Sequence, residues 1–285
     1  MMVAVASGKG GTGKTTLSAA LADALGDEVI LLDCDVEEPN AALLMHPEWL
    51  DRYPVHTPVP TFRADDCTQC GECVSVCAYN ALAKIGDDIL VFNQLCHGCG
   101  ACLYFCTPRA LTEDYRQIGS VQCGHSGNVR VVEGRLNLGE VLAPVVIKAV
   151  KRECKDASRV IVDSPPGTSC PVIAALDGVD FCVIVAEDSA FGLHDMQALV
   201  EVLRVLQIPF GVVVNRAGLG DDRVLRFCER EGIRVLESIP FDRQIARLTG
   251  RGYLFTAEMP EWRPKMRRIW SEIEGVLSGA RNSSA

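Results

Sequence analysis

The chain has 285 residues, room for one large domain or two smaller ones at roughly 100–200 residues per domain. Its 48% hydrophobic and 23% charged residues are globular values and exclude wholesale disorder. Lys and Arg number 28 against 37 Asp and Glu, a net charge of −9 that argues against nucleic acid as a partner, because phosphate binding rests on counterion release by Lys and Arg.

No apolar run reaches the roughly 18 residues expected of a transmembrane helix, so no stable membrane insertion is expected. Residues 1–7 carry neither a basic stretch nor a small-residue cleavage site, and a cytoplasmic location is expected. Thiols stay reduced there, so the 14 cysteines point to metal rather than disulfides.

Residues 2–6 form a short apolar run suited to a buried parallel strand. Gly8-Lys9-Gly10-Gly11-Thr12-Gly13-Lys14-Thr15-Thr16 follows, and a helix is expected over 14–25, ending near Gly26. A strand, a G-x4-G-K-T loop and a helix in that order make a phosphate-binding loop. Its glycines let backbone N–H groups meet phosphate oxygens, and the helix N-terminus adds partial positive charge. ATP and Mg²⁺ are the expected ligands, with Lys14 reaching the β- and γ-phosphates and the Thr15 hydroxyl on the metal.

A second apolar strand, 29–32, ends in Asp33-Cys34-Asp35. Beyond it, Pro47, Pro54, Pro58 and Pro60 suggest an extended, turn-rich linker. Eight of the 14 cysteines then lie in two copies of one spacing. Cys67, Cys70, Cys73 and Cys77 form the first, and Cys96, Cys99, Cys102 and Cys106 the second. This is the run of the bacterial two-cluster ferredoxins, in which the fourth Cys of each run ligates the other cluster. One [4Fe–4S] cluster is therefore expected on Cys67, Cys70, Cys73 and Cys106, and another on Cys96, Cys99, Cys102 and Cys77. The usual Pro after the fourth Cys is Ala78 in the first run and displaced to Pro108 in the second. Zinc is the alternative for four thiolates, but such sites usually pair one CxxC with a distant CxxC. Ala81-Leu82 recurs as Ala110-Leu111 at the offset of 29 residues that relates the two runs, which suggests a pseudo-twofold module with a short strand at 89–92 between its halves. His97 is expected to neighbour a cluster rather than ligate it.

After the cysteines, a hairpin near 128–138, a helix over 140–154 and strands at 159–163, 181–186, 210–215 and 233–239 are expected, alternating with helices. Asp163 closes the first of these strands and Gly167 follows it. Met266, Ile269, Trp270, Ile273 and Leu277 make one apolar stripe, expected to close the domain against the sheet ahead of a Ser- and Ala-containing tail. Cys34, Cys154, Cys182 and Cys228 read as small core residues, whereas Cys123 and Cys170 are candidate thiols for partner chemistry.

The loop from Gly8 to Thr16, with its extra Lys9, resembles the deviant Walker A box of the MinD/ParA superfamily, which includes nitrogenase iron protein and Mrp-type ATPases. The resemblance implies an α/β, doubly wound, mostly parallel sheet in a discontinuous ATPase domain, 1–60 and 114–285. A small α+β two-cluster ferredoxin-like domain would be inserted at 61–113. It implies that Lys9 crosses a nucleotide-sandwich dimer to the partner's phosphates, much as an arginine finger does. Asp35 would orient the attacking water, Asp33 sit in or near the Mg²⁺ shell, Asp163 hold a Mg²⁺-bound water, and the Gly167 amide lie near the γ-phosphate. Asn215 would read adenine, the loop from Pro240 would cover the base, and the 187–195 segment would face the dimer.

A nucleotide switch and an electron wire in one chain suggest a slow ATPase that gates electron transfer to a redox protein, as a homodimer or a heterodimer with a paralogue. A metallocofactor assembly or carrier factor of the Mrp kind is the alternative, although no CxxC pair follows Cys106. A MinD- or ParA-like spatial organiser is the third. The segment 61–115 has seven acidic and three basic residues, which would suit a basic partner face.

Overall fold

The computed structural model describes residues 1–154 and 157–282. The apolar runs become strands buried on both faces: β1 (Met2–Ala6) and β2 (Val29–Asp33) flank helix α1 (Lys14–Leu25), which stops where Gly26 takes a positive φ of 68°. A five-residue helix, α2 (Ala41–Met45), follows. The segment expected as a linker is instead a 15-residue strand, β3 (Glu48–Phe62). Its prolines are tolerated because β3 is the edge of the sheet, where one row of N–H groups needs no partner.

The cysteine segment holds short helices α3 (Glu72–Ser75) and α4 (Ala101–Phe105) around a hairpin of β4 (Leu82–Ile85) and β5 (Asp88–Val91). The hairpin expected near 128–138 starts far earlier. β6 (Leu111–Ser126) and β7 (Val129–Leu136) pair across the turn at Gly127 and Asn128. α5 (Ala143–Lys151) continues as a 3₁₀ turn to Cys154. Then come β8 (Arg159–Asp163), α6 (Cys170–Leu176), β9 (Phe181–Glu187), α7 (Ala190–Val205) and β10 (Phe210–Ala217). The chain continues with α8 (Arg223–Glu231), β11 (Val235–Pro240), α9 (Arg243–Gly250), α10 (Phe255–Glu258) and α11 (Arg263–Asn282).

The main sheet has nine strands in the order β11-β10-β9-β1-β8-β2-β7-β6-β3. The strands from β11 to β7 run parallel, and β6 and β3 add two antiparallel pairings at one edge. One face packs on α5 to α8 and the other on α1, α2 and α11, giving two apolar cores. Met266, Ile269, Trp270 and Ile273 are buried, so the apolar stripe of α11 closes the second core. Residues 283–285, where the tail was expected, lie outside the described residues. No helix among the described residues is long and apolar enough to cross a membrane.

Beyond Gly119, β6 leaves β7 and pairs with β3 alone down to Leu111, opposite Phe62. This two-stranded ribbon carries the cysteines away from the sheet. Cys34, Cys182 and Cys228 are fully buried, Cys123 is buried, Cys154 is half-buried and Cys170 is exposed.

Candidate functional site

The first site lies at the carboxyl ends of the parallel strands, where doubly wound sheets place their ligands. Residues 8–13 bridge β1 and α1. A side chain at Gly13 is forbidden twice over, since φ is +96° and a Cβ would fall 2.5 Å from the Asn215 amide nitrogen. At Gly8 a Cβ would lie 2.1 Å from the Asp195 carbonyl oxygen, so the loop packs directly on α7. Lys14, the first residue of α1, is buried.

Asp33 and Asp163 stand opposite each other as the last residues of β2 and β8. Ser18 Oγ donates to Asp163 Oδ1 at 2.9 Å, and the Thr15 hydroxyl lies beside this carboxylate. Asp163 Oδ2 is buried without a partner among the described residues. A free carboxylate oxygen beside a threonine hydroxyl is a hard-oxygen donor set that fits Mg²⁺ or its water. Asp33 Oδ2 accepts from the Asn40 and Ala41 amides, each at 2.9 Å, and Oδ1 from the Asp35 amide at 3.1 Å. Its two oxygens are thus engaged in shaping the 35–41 loop.

Burial pushes the carboxyls of Asp33 and Asp163 up. Asp163 raises Asp33 further, while the Lys14 ammonium and the Thr15 and Ser18 hydroxyls pull Asp163 back. Asp35 is half-buried and pushed up to about 6 by burial, with Lys14 opposing and Asp163, Glu38 and Glu37 adding. It lines a hollow with Glu38, Pro165 and Pro166.

Lys9 Nζ lies 2.9 Å from Glu187 Oε2 of its own chain. Glu187 also pairs with Arg216, whose Nη2 donates to the Gly11 carbonyl at 3.2 Å. The Gly167 amide, at φ +92°, donates to the Ser7 carbonyl at 2.9 Å. Asn215 Nδ2 donates to the Thr12 carbonyl at 2.7 Å. Asn215, Thr16, Gly13 and Pro240 rim a cleft whose floor is Leu17, Val185, Val213, Ile239 and Phe255. An apolar slot running on from a phosphate loop suits a nucleobase.

Sequence reasoning missed three groups here. Ser18 sits one turn after Lys14 on the same helix face, an i,i+4 signal that was legible. Glu187 was placed only in a segment, and Arg216 was not assigned. Their contact comes from neighbouring strands, in which Asn215 is in register with Glu187, and has no local signal.

The second site is on the ribbon. Its two halves repeat in the backbone at the same offset of 29: Gln69 and Gly98, Gly71 and Gly100, and Asn80 and Arg109 all have positive φ, between 52° and 78°. Cys67, Cys70, Cys73 and Cys106 line one hollow, with Phe62 and Leu111. Cys77, Cys96, Cys99 and Cys102 line another, with Pro58 and Pro60. Amides of Gln69, Ala81 and Gly98 donate to the sulfurs of Cys67, Cys77 and Cys96 at 3.4, 3.2 and 3.5 Å. Burial, together with Cys96, Cys77 and Cys99, pushes the Cys102 thiol up to about 11. The thiols surround the hollows rather than converge: among the described residues no His, Cys, Asp or Glu group is placed to hold a single metal ion. Soft thiolates facing one space, with amide donors to sulfur, are the chemistry of an iron–sulfur site, and the residues fit that group. His97 stacks on Tyr79 at 3.8 Å between ring centroids.

Sheet topology, phosphate loop and paired strand-end aspartates define a P-loop nucleotide-binding protein of the doubly wound α/β class. The chain belongs to the CobQ/CobB/MinD/ParA nucleotide binding domain family, whose pattern it matches over residues 3–255. It is 33% identical over 261 residues to the uncharacterized protein MJ0579 of Methanocaldococcus jannaschii, covering 90% of this chain and 91% of that one. It is 25% identical over 303 residues to an iron-sulfur cluster carrier protein of Aquifex aeolicus, covering 97% of this chain and 67% of the other. Among solved structures, the septum site-determining protein MinD with Mg-ADP from Pyrococcus horikoshii superposes with a TM-score of 0.60. The match covers 96% of both chains at 18% identity, a likeness of fold.

Proposed function

We propose that the protein binds and slowly hydrolyses Mg-ATP, and that the nucleotide-driven dimer gates electron transfer through two [4Fe–4S] clusters. The observation that carries this reading is the placement of two four-cysteine sets around two separate hollows, on a ribbon continuous with the sheet that ends in the phosphate loop.

In the nucleotide half, loop amides and Lys14 hold the phosphates, while Thr15 and Asp163 Oδ2 take the metal and its water. Asp35 accepts a hydrogen bond from the attacking water. Lys9 leaves Glu187 to reach the partner's phosphates, and Gly167 releases the Ser7 carbonyl to face the γ-phosphate. In the ribbon, bound clusters would supply one-electron redox steps. Each set of thiolates would hold its cluster with three cysteines from one half of the repeat and one from the other, and the amide donors to sulfur would stabilise negative charge there. The Cys77, Cys96, Cys99 and Cys102 set lies against Pro58–Pro60, nearer the sheet, while the other set sits at the far end beside Phe62. The set beside Phe62, at the far end of the ribbon, is the one a redox partner would approach.

A second reading, cluster assembly or delivery, is favoured by the iron-sulfur carrier relative. The absence of a CxxC pair after Cys106 counts against it.

The deciding experiment is anaerobic purification followed by a potentiometric EPR titration with and without Mg-ATP. About eight iron atoms per chain are expected. A shift of roughly tens of millivolts with nucleotide supports gating, since about 59 mV is a tenfold change for one electron. Full iron loading with no change in potential or transfer rate would move the weight to the assembly reading.

A further inference from the structure

The root of the cysteine ribbon is gripped by a turn that also touches the nucleotide loops. In the turn Asn137–Glu140 the Glu140 amide donates to the Asn137 carbonyl at 3.1 Å, and Gly139 (φ +79°) supplies the left-handed residue. Immediately before it, the Leu136 amide donates to the Val36 carbonyl at 2.8 Å, one residue from Asp35. Shortly after it, Ala143 lines the hollow shared with Asp35, Pro165 and Pro166.

On its other side the turn holds the ribbon. Asn137 donates its amide to the Ile118 carbonyl at 2.9 Å and its side chain to the Gln117 carbonyl at 3.2 Å. Glu140 forms an ion pair with Arg116. Because β7 last pairs with β6 at Gly119, Gln117 and Arg116 belong to the stretch that only β3 supports.

The ion pair is largely buried, with side chains 18% and 12% exposed, yet Arg116 Nε and Nη2 have no partner among the described residues. A guanidinium is a rigid fork of five donors, and leaving buried donors unused costs more than an ordinary hydrogen bond returns. A displacement of Glu140 that engaged a second donor would therefore be favourable. The two unused donors leave room for a second arrangement of the contact, which is what a coupling element needs.

We propose that Arg116 and Glu140 are the positioning pair through which the nucleotide state of the Asp35 loop sets the attitude of the cysteine ribbon. The inference rests on the nucleotide half of the function proposed above and is independent of what the cysteines hold. When the 35–36 segment shifts, Leu136 is drawn with it, the turn moves as a unit, and Glu140 carries the ribbon root through Arg116. A ligand shifts an equilibrium only through contacts that differ between its two states, and this junction supplies such contacts.

Hydrogen exchange by mass spectrometry on the full chain, purified without oxygen, tests this with and without Mg-ATP. Peptides over 8–16 report nucleotide occupancy and peptides over 111–118 report the ribbon root. In the unsubstituted protein, exchange at 111–118 is expected to slow about fivefold or more with Mg-ATP, within the usual range of coupling between sites. Glu140→Gln and Arg116→Gln should keep protection at 8–16 and lose the response at 111–118, and Glu140→Asp should restore it. An equal ribbon response in Glu140→Gln, or no ribbon response in the unsubstituted protein while 8–16 is protected, overturns the proposal. No protection at 8–16 overturns the nucleotide reading and the proposal together. Loss of iron in the same samples overturns the cluster reading alone.

Discussion

Lys9 and Glu187 are joined by a 2.9 Å salt bridge within one chain, and the same carboxylate also binds Arg216. A lysine held in this way is unavailable to a partner until Glu187 releases it. Lys9→Ala should therefore leave ATP affinity within a few-fold of the parent while lowering hydrolysis by about 10³-fold, the lower range for a cation supplied in trans. Fluorescent-nucleotide binding alongside phosphate release separates the two, and an unchanged hydrolysis rate would remove Lys9 from the chemistry.

Asp35, pushed up to about 6 by burial, gives a pH signature. Hydrolysis should fall as pH drops through 6, because the carboxylate is the stronger acceptor for the attacking water and protonation replaces one acceptor oxygen with a donor. Stability moves the other way. With the folded pKa above the unfolded value, the folded chain binds more protons between about pH 4 and 6, so Asp35 costs stability as pH rises through that window. Asp35→Asn should raise Tm by a few degrees at pH 7.5, with the gain fading towards pH 4. A constant Tm difference across the range would contradict the raised pKa.

The two cysteine sets should be separable by substitution. Cys73→Ser with Cys106→Ser should leave about four iron atoms per chain and one EPR species, and Cys96→Ser with Cys102→Ser should leave the other. Retention of all the iron in either double variant would sink the assignment of ligands.

Trp270 is 2% exposed and packs in the core that α11 shares with α1. Trp270→Ala should cost about 3–5 kcal/mol in denaturant unfolding, the usual cost for a large buried aromatic. A loss below about 1 kcal/mol would mean that the stripe does not pack as described.

Much of the nucleotide half was legible because its signals are local. The runs 2–6, 29–32 and 160–162 are apolar throughout, as befits strands covered on both faces, and Gly26 marks the end of α1. Both cysteine runs were equally plain in their spacing. The ribbon between the two halves was not legible. The prolines of β3 read as a linker, since nothing local says that the strand lies at an edge. The polar start of β6, from Thr112 to Gln117, has no apolar alternation because the sheet there is only two strands wide. The Lys9–Glu187–Arg216 cluster joins residues far apart in the chain and depends on strand order, which pattern reading does not supply.

Phe62 and Leu111 stand directly opposite each other on adjoining strands, so the chain leaves for the cysteine module and returns at the same place. An insertion whose two ends coincide leaves the strand pairing of its host intact. Replacing residues 63–110 by a tight two-residue turn closes an ordinary hairpin and keeps every pairing of the nine-stranded sheet. The module is in this sense a graft, and the excised protein would be a natural reference in which nucleotide chemistry can be studied with no cysteine module attached.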